Sequence, residues 1–193
     1  MDKNELQVRL LSIQEVKTIY DSYMQQDFPR NELRPFSMIK KLMNDHIYYT
    51  YGIFKESKLC AYAFFLEDIK SGILLFDYFA VCSQYRGQGY GTKAMHLILE
   101  TCKEKNGVLL EVEDPSYAED EEERGVRERR IRFYEKCGIY RSDVQMLLFG
   151  VNYCIMYQSF TSDDMEDHIA EIIQEIYKKL MPKLLYKKML RNL

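Results

Sequence analysis

Apolar and polar positions divide the chain into short elements. Residues 6–11 (LQVRLL) partly alternate, as a strand with one covered face does. Ser12, with Glu15 three residues on, forms a capping box that opens a helix to about residue 26, with Ile13, Val16, Ile19, Tyr20 and Tyr23 at helical spacing. PRNELRP (29–35) reads as a loop, where a plain connector or a substrate contact would sit, and 36–43 as a short helix. Residues 47–54 (IYYTYGIF), 59–66 (LCAYAFFL) and 73–81 (ILLFDYFAV) are three strands joined by the polar KESK turn and by a second turn ending in Ser71-Gly72. Such short links predict an antiparallel meander.

After Val81 the pattern changes. Three glycines alternate at Gly87, Gly89 and Gly91, and a helical pattern runs from there to about residue 105, where Asn106-Gly107 stops it. Residues 108–112 (VLLEV) form the next strand. A strand, a helix and a strand make a right-handed unit, so this pair is expected to be parallel. An acidic loop follows at 113–123, then a basic helix at 124–136, two strands at about 144–150 and 152–159, and a last helix opening at Asp163-Asp164. Its apolar face is Met165, Ile169, Ile172, Ile173, Ile176 and Leu180; Pro182 should kink it, and KLLYKKML continues the pattern to the end. The expected fold is α/β of the α+β type: a mixed, mostly antiparallel sheet of about seven strands with one central parallel pair, helices on both faces, and a C-terminal amphipathic helix. The expected division is a domain over 1–162 and an extension over 163–193 that packs on the domain or on a partner, including a second copy in a homodimer.

Composition narrows the function. The 193 residues carry a net charge of −3, which offers no global attraction for nucleic acid or an anionic membrane. No apolar run reaches membrane-spanning length, and no charged segment leads into a long apolar one at the start, so neither a membrane nor a secretory route is expected. Cys60, Cys82, Cys102, Cys137 and Cys154 are scattered without a CxxC pair, which fits free thiols in the cytoplasm. The histidines have no metal-ligand spacing, so no metal is expected.

The glycine turn is the candidate for chemistry. The first turn of a helix has N–H groups without intrahelical partners, its dipole favours negative charge, and glycine lets a ligand approach the backbone. The P-loop pattern fails, because Gly91 is followed by Thr92-Lys93 and no glycine lies five residues before it. The dinucleotide pattern fails because its third glycine comes one residue early, although Glu111 stands 20 residues beyond Gly91.

Arg86-Gly87-Gln88-Gly89-Tyr90-Gly91, following Phe79-Ala80-Val81, resembles the [RQ]-x-x-G-x-[GA] turn of the GCN5-related N-acetyltransferases; the motif also fits one step earlier, from Gln84. Phe133-Tyr134 shortly before Gly138-Ile139-Tyr140 is similar to that family's later motif, and the order of elements over about 6–159 matches. The resemblance implies acetyl-CoA as acyl donor and an amine as acceptor, which attacks the thioester directly. It places the CoA pyrophosphate on the amides of Arg86, Gly87, Gln88, Gly89, Tyr90 and Gly91, with the Thr92 hydroxyl beside them. It places the pantetheine arm along Phe79, Ala80 and Val81, with the Phe79 N–H facing the thioester oxygen. Tyr134 corresponds to the general acid beside the CoA sulfur. For the base, Glu111 matches the glutamate of N-terminal acetylases; Asp77, then Glu113, are the competitors. Those acetylases usually have a short link with an asparagine after the fifth strand, where this chain has the acidic stretch. A small amine is therefore favoured over a protein as acceptor. The arginines at 124, 127, 129, 130 and 132 either pair with the acidic loop or reach the CoA 3′-phosphate. The alternative function is an idle acyl-CoA-binding module of the same fold.

Overall fold

The computed structural model describes residues 5–161, 165–180 and the backbone of 190–191. The strands are β1 (Gln7–Leu10), β2 (Tyr48–Lys55), β3 (Lys58–Asp68), β4 (Ile73–Val81), β5 (Gly107–Glu113), β6 (Tyr140–Leu148), β7 (Val151–Ser159) and β8 (Leu190–Arg191). The helices are α1 (Ile13–Ile19), α2 (Gln25–Asp27), α3 (Phe36–Asn44), α4 (Tyr90–Thr101), α5 (Glu121–Lys136) and α6 (Ile169–Leu180). The fold is mixed α/β, with seven longer strands, mostly antiparallel, one parallel pair, and the two-residue β8. The chain forms two compact units. One holds 1–67 with 76–102 and the other 68–75 with 103–193, so β4 contributes to both.

In the first unit the strand order is β1-β2-β3-β4, with β1 and β3 antiparallel to β2. The expected capping box is present: Ser12 Oγ accepts from the Glu15 N–H, and Glu15 accepts from the Ser12 N–H at 2.8 Å. The helix expected up to about residue 26 runs without a break to Asp27, as α1, a π-helical turn over Tyr20–Met24, and α2. The KESK turn closes on two residues, Glu56 and Ser57, both in the left-handed region. That conformation matches the twist of a two-residue hairpin. The β3 sequence does not alternate because Cys60 to Leu66 are buried without interruption, as in a strand covered on both faces. Tyr62, Phe64 and Phe65 are the largest of its fully buried side chains.

The second unit runs β5-β7-β6-β8 from the start of β4, with antiparallel pairing of β5 to β7, β7 to β6 and β6 to β8. Phe149 and Gly150, both at positive φ, turn β6 into β7. The acidic stretch is not all loop. Asp120 caps α5 by accepting from the Glu123 N–H at 2.8 Å, and Glu121, Glu122 and Glu123 fill its first turn, where the dipole favours them. α6 buries Ile169, Ile173, Ile176 and Tyr177. The helix opening expected at Asp163-Asp164 and the Pro182 kink lie outside the described residues. The helical pattern expected to reach the end does not, since Leu190 and Arg191 pair with Leu148 and Leu147 as strand.

Candidate active site

In the first unit, β4 ends at Val81, a 3-10 turn over Ser83–Tyr85 follows, and Gly89 stands at the N-cap of α4. Gly87 and Gly89 have φ of 73° and 79°, a region that side chains with a Cβ rarely adopt. A Cβ built at either glycine would meet nothing within 4 Å, so the space before the turn is open. No side-chain hydrogen bond caps the start of α4, so no capping side chain occupies its first-turn amides. The arrangement can hold an anion. Arg86 folds back along the surface: its Nε donates to the Val81 carbonyl at 2.8 Å and its guanidinium pairs with Asp27. The Gln88 side chain folds back onto the Gln84 carbonyl, and Thr92 is exposed. Lys55 donates to the Tyr90 hydroxyl. Ala80 is buried; Phe79 and Val81 are half-buried at alternate positions with Asp77.

Asp77 is tied by a two-pronged bond to Arg34, Nε to Oδ2 at 2.7 Å and a terminal nitrogen to Oδ1 at 3.1 Å, and Tyr48 donates to it as well. Tyr78 joins the same cluster, accepting from the Arg34 N–H and donating to the Glu32 carbonyl, each at 2.8 Å. Burial lowers the affinity of Arg34 for its proton, but the Asp77 charge and hydrogen bonds outweigh it and raise the guanidinium pKa. Burial, then Asp77, pushes the Tyr48 phenol well above its ordinary value. Residues 29–35, expected as a loop, are thereby fastened to β4 through Arg34.

The second unit carries Glu111, Glu113 and Tyr134. Glu111 lies opposite Ile155 in the β5–β7 register and accepts a hydrogen bond from Tyr177 of α6 at 2.6 Å. Glu113 pairs with Arg127 at 3.3 Å and Arg130 at 3.6 Å. Arg127 is buried and also reaches Glu123 and the Asp114 carbonyl. Arg124 pairs with Glu121, so three of the five arginines (124, 127 and 130) pair with the acidic stretch, while Arg132 pairs with Glu128 within α5. Tyr134 is half-buried on α5, with its ring tilted against Phe133. Burial raises its phenol pKa, against the pull of Arg130. An open cleft of about 420 Å³ runs along α6, lined in part by Asp68, Asn106, His168 and Glu171; none of the predicted site residues lines it. Among the described residues no group of three or more His, Cys, Asp or Glu could hold a metal ion, and no helix is long and apolar enough to cross a membrane.

Sequence reading placed Asp77 and Glu111 in strands but did not identify Arg34 and Tyr48 as partners of Asp77, or Tyr177 as a partner of Glu111. The only signals were an arginine in the 29–35 loop and a carboxylate inside an apolar strand, which demands a partner.

A search of curated protein sequences returns no match. Among solved structures, a putative GNAT-family acetyltransferase from Bacteroides thetaiotaomicron aligns with 90% of this chain and 97% of its own, at 18% identity and a TM-score of 0.73. Spermidine N-acetyltransferase from Vibrio cholerae, in complex with CoA and spermine, covers 80% of this chain and 95% of its own, at 14% identity and a TM-score of 0.58. The ribosomal-protein-S18-alanine N-acetyltransferase of Escherichia coli covers 82% and 96%, at 14% identity and a TM-score of 0.61. These likenesses show a shared fold. The model of the acetyltransferase (GNAT) family matches residues 13–139, which include the glycine turn, Glu111 and Tyr134, and the chain belongs to that family.

Proposed function

We propose that this protein is an acetyl-CoA-dependent N-acetyltransferase that acts on the primary amine of a small molecule. The observation that carries the reading is the uncapped start of α4 behind Gly87 and Gly89, with open space before it. Two phosphates need several donors at close range, and the amides from Gly87 to Thr92 supply them where a side chain would intrude. Arg86 serves the turn by holding the Val81 carbonyl and Asp27. Phe79, Ala80 and Val81 offer main-chain groups to the pantetheine amides, with the Phe79 N–H as donor to the acyl oxygen. Acetyl-CoA supplies the activated acyl group.

Tyr134 has a phenol that burial keeps protonated, which suits a group that gives its proton to a departing thiolate. Three carboxylates compete as base. Asp77 and Glu113 are each paired with a guanidinium. Glu111 accepts from the Tyr177 phenol and stands where the family resemblance puts the glutamate base, and we assign it the proton of the acceptor ammonium. The link from β5 to α5 and the first turn of α5 expose Glu119, Glu121 and Glu122, an acidic rim suited to a cationic amine. A small amine is favoured over a protein N-terminus because this link carries a 3-10 turn over Pro115–Tyr117 and the acidic rim, not a short asparagine connection. We treat 1–162 as the acetyltransferase domain and 163–193 as its extension.

The test mixes the protein with acetyl-CoA and a panel of amines, polyamines included, and follows thiol release. Turnover above acetyl-CoA hydrolysis is expected, and tight CoA binding with no turnover would indicate an idle binding module. Tyr134→Phe should lower kcat by about 10²-fold with CoA affinity retained; an unchanged rate would remove Tyr134 from the mechanism.

A further inference from the structure

The glycine turn is tied to the interior of the first unit through one carboxylate. Asp27 is the last residue of α2, and its side chain is 11% exposed. Its Oδ2 accepts from the Tyr62 hydroxyl at 2.8 Å, and its Oδ1 pairs with the Arg86 guanidinium. Tyr62 stands fully buried in β3. Burial, then the bond to Asp27, raises its phenol pKa, so the hydroxyl stays a donor. The residues around Asp27 are anchored as well. Met24 is fully buried, and the Phe28 ring meets the rings of Tyr62 and Tyr78 edge-on, at centroid distances of 6.5 and 5.0 Å. On the far side of the pair, Arg86 Nε donates to the Val81 carbonyl at 2.8 Å. The contacts thus run from a buried phenol, through a carboxylate and a guanidinium, to the carbonyl at the end of β4. They close the 81–86 segment on itself just before Gly87.

The Arg86 side chain is 54% exposed, and a pair so open to solvent contributes little to global stability. What it fixes is direction. The turn from Arg86 to Gly89 is exposed, and its glycines have no side chains to hold their conformation. A cradle of amides binds an anion well when its N–H groups converge before the ligand arrives, because ordering them on binding costs affinity. Resting on the reading of the glycine turn as the CoA pyrophosphate site, we propose that Asp27 is a positioning residue for CoA: by holding Arg86 against the Val81 carbonyl, it keeps the amides that follow in the geometry that grips the pyrophosphate. Tyr62 aims the carboxylate. The helical segment before the 29–35 loop then contributes to CoA affinity through the turn, by way of Arg86.

The test is a double-mutant cycle on the full chain with Asp27→Asn, Arg86→Ala and both together, read as the CoA dissociation constant by titration calorimetry. Asp27→Asn keeps the size of the side chain and an oxygen for the Tyr62 hydroxyl but removes the charge, and urea unfolding checks that each variant is folded. The expected result for Asp27→Asn is about tenfold weaker CoA binding, and no further weakening when it is added to Arg86→Ala. In steady-state kinetics the KM for acetyl-CoA should rise by a similar factor, with kcat and the KM for amine within about twofold, a split that a general loosening of the fold would not produce. Wild-type CoA affinity in Asp27→Asn, or the same loss on top of Arg86→Ala, overturns the proposal; so does a fall in kcat with the KM for acetyl-CoA unchanged. Should Asp27→Asn fail to fold, Tyr62→Phe decides by the same titration: about threefold weaker binding is expected, and wild-type affinity overturns the proposal. A wild-type protein that binds no CoA fails the reading of the turn itself, before any variant is compared, and this inference falls with it. An idle module that binds CoA without turnover is still decided by the binding cycle.

Discussion

Asp77 and Glu111 look alike in the sequence, each a single acid inside an apolar strand, yet their surroundings differ in kind. Asp77, in the first unit, meets a guanidinium in a two-pronged bond and a buried phenol. Glu111, in the second, meets the phenol of Tyr177 from α6. The guanidinium fastens a segment distant in the chain to β4. The difference sets a carboxylate that ties the 29–35 segment to β4 beside one that ties α6 to β5.

The largest effect that would break this contrast is catalytic. Glu111→Gln should lower turnover by about 10²- to 10⁴-fold, the range for a lost general base, and shift stability by only about 1 kcal/mol. Steady-state kinetics beside urea unfolding measures both, and a stability loss without a rate loss would reverse the assignment. Asp77→Asn should do the opposite. It leaves the Arg34 guanidinium, 19% exposed as a side chain, without its counter-charge, at a cost of about 3 kcal/mol. The double change Asp77→Leu with Arg34→Met should recover much of that loss, because an apolar pair needs no charge compensation. If the double variant is no more stable than Asp77→Asn, the pair is not what fastens 29–35.

The smallest effect concerns alkaline pH. Tyr48 and Tyr78, beside Asp77, have phenols raised first by burial and then by the Asp77 charge. A phenol raised on folding adds stability that is complete below its unfolded value, about 10, and is lost as pH rises through the folded value. Unfolding free energy should therefore fall above pH of about 10, and Tyr48→Phe should flatten that fall while lowering stability at neutral pH by about 1 kcal/mol. An unchanged alkaline slope in Tyr48→Phe would mean that the phenol ionises as freely folded as unfolded.

What the sequence disclosed depended on distance along the chain. The capping box at Ser12 and Glu15 spans three residues, and its geometry follows from that spacing. The glycine turn was equally local: two of its three glycines are required by positive φ at Gly87 and Gly89. The start of α5 was misplaced because acidic residues suit a solvated loop and a helix N-terminus equally well, and only the Asp120 cap decides. Which residues would partner the two acids could not be named from the sequence. Arg34 lies 43 residues from Asp77, and Tyr177 lies 66 residues from Glu111, so neither pairing leaves a periodic trace. Tyr177 was passed over for a simple reason: the apolar stripe was drawn from aliphatic residues, whereas an amphipathic phenol closes it.

All five cysteines are free and buried, none more than 3% exposed. Burial also raises four of the thiols, Cys82 and Cys154 to about 11, so little nucleophilic thiolate forms at neutral pH. The reagent that counts released CoA will thus be nearly blind to the native chain, while every unfolded chain will present five reactive sulfurs. A slow rise in the enzyme-only control is then an opening clock, able to report the lifetime of the folded state in the same cuvette that measures acyl transfer.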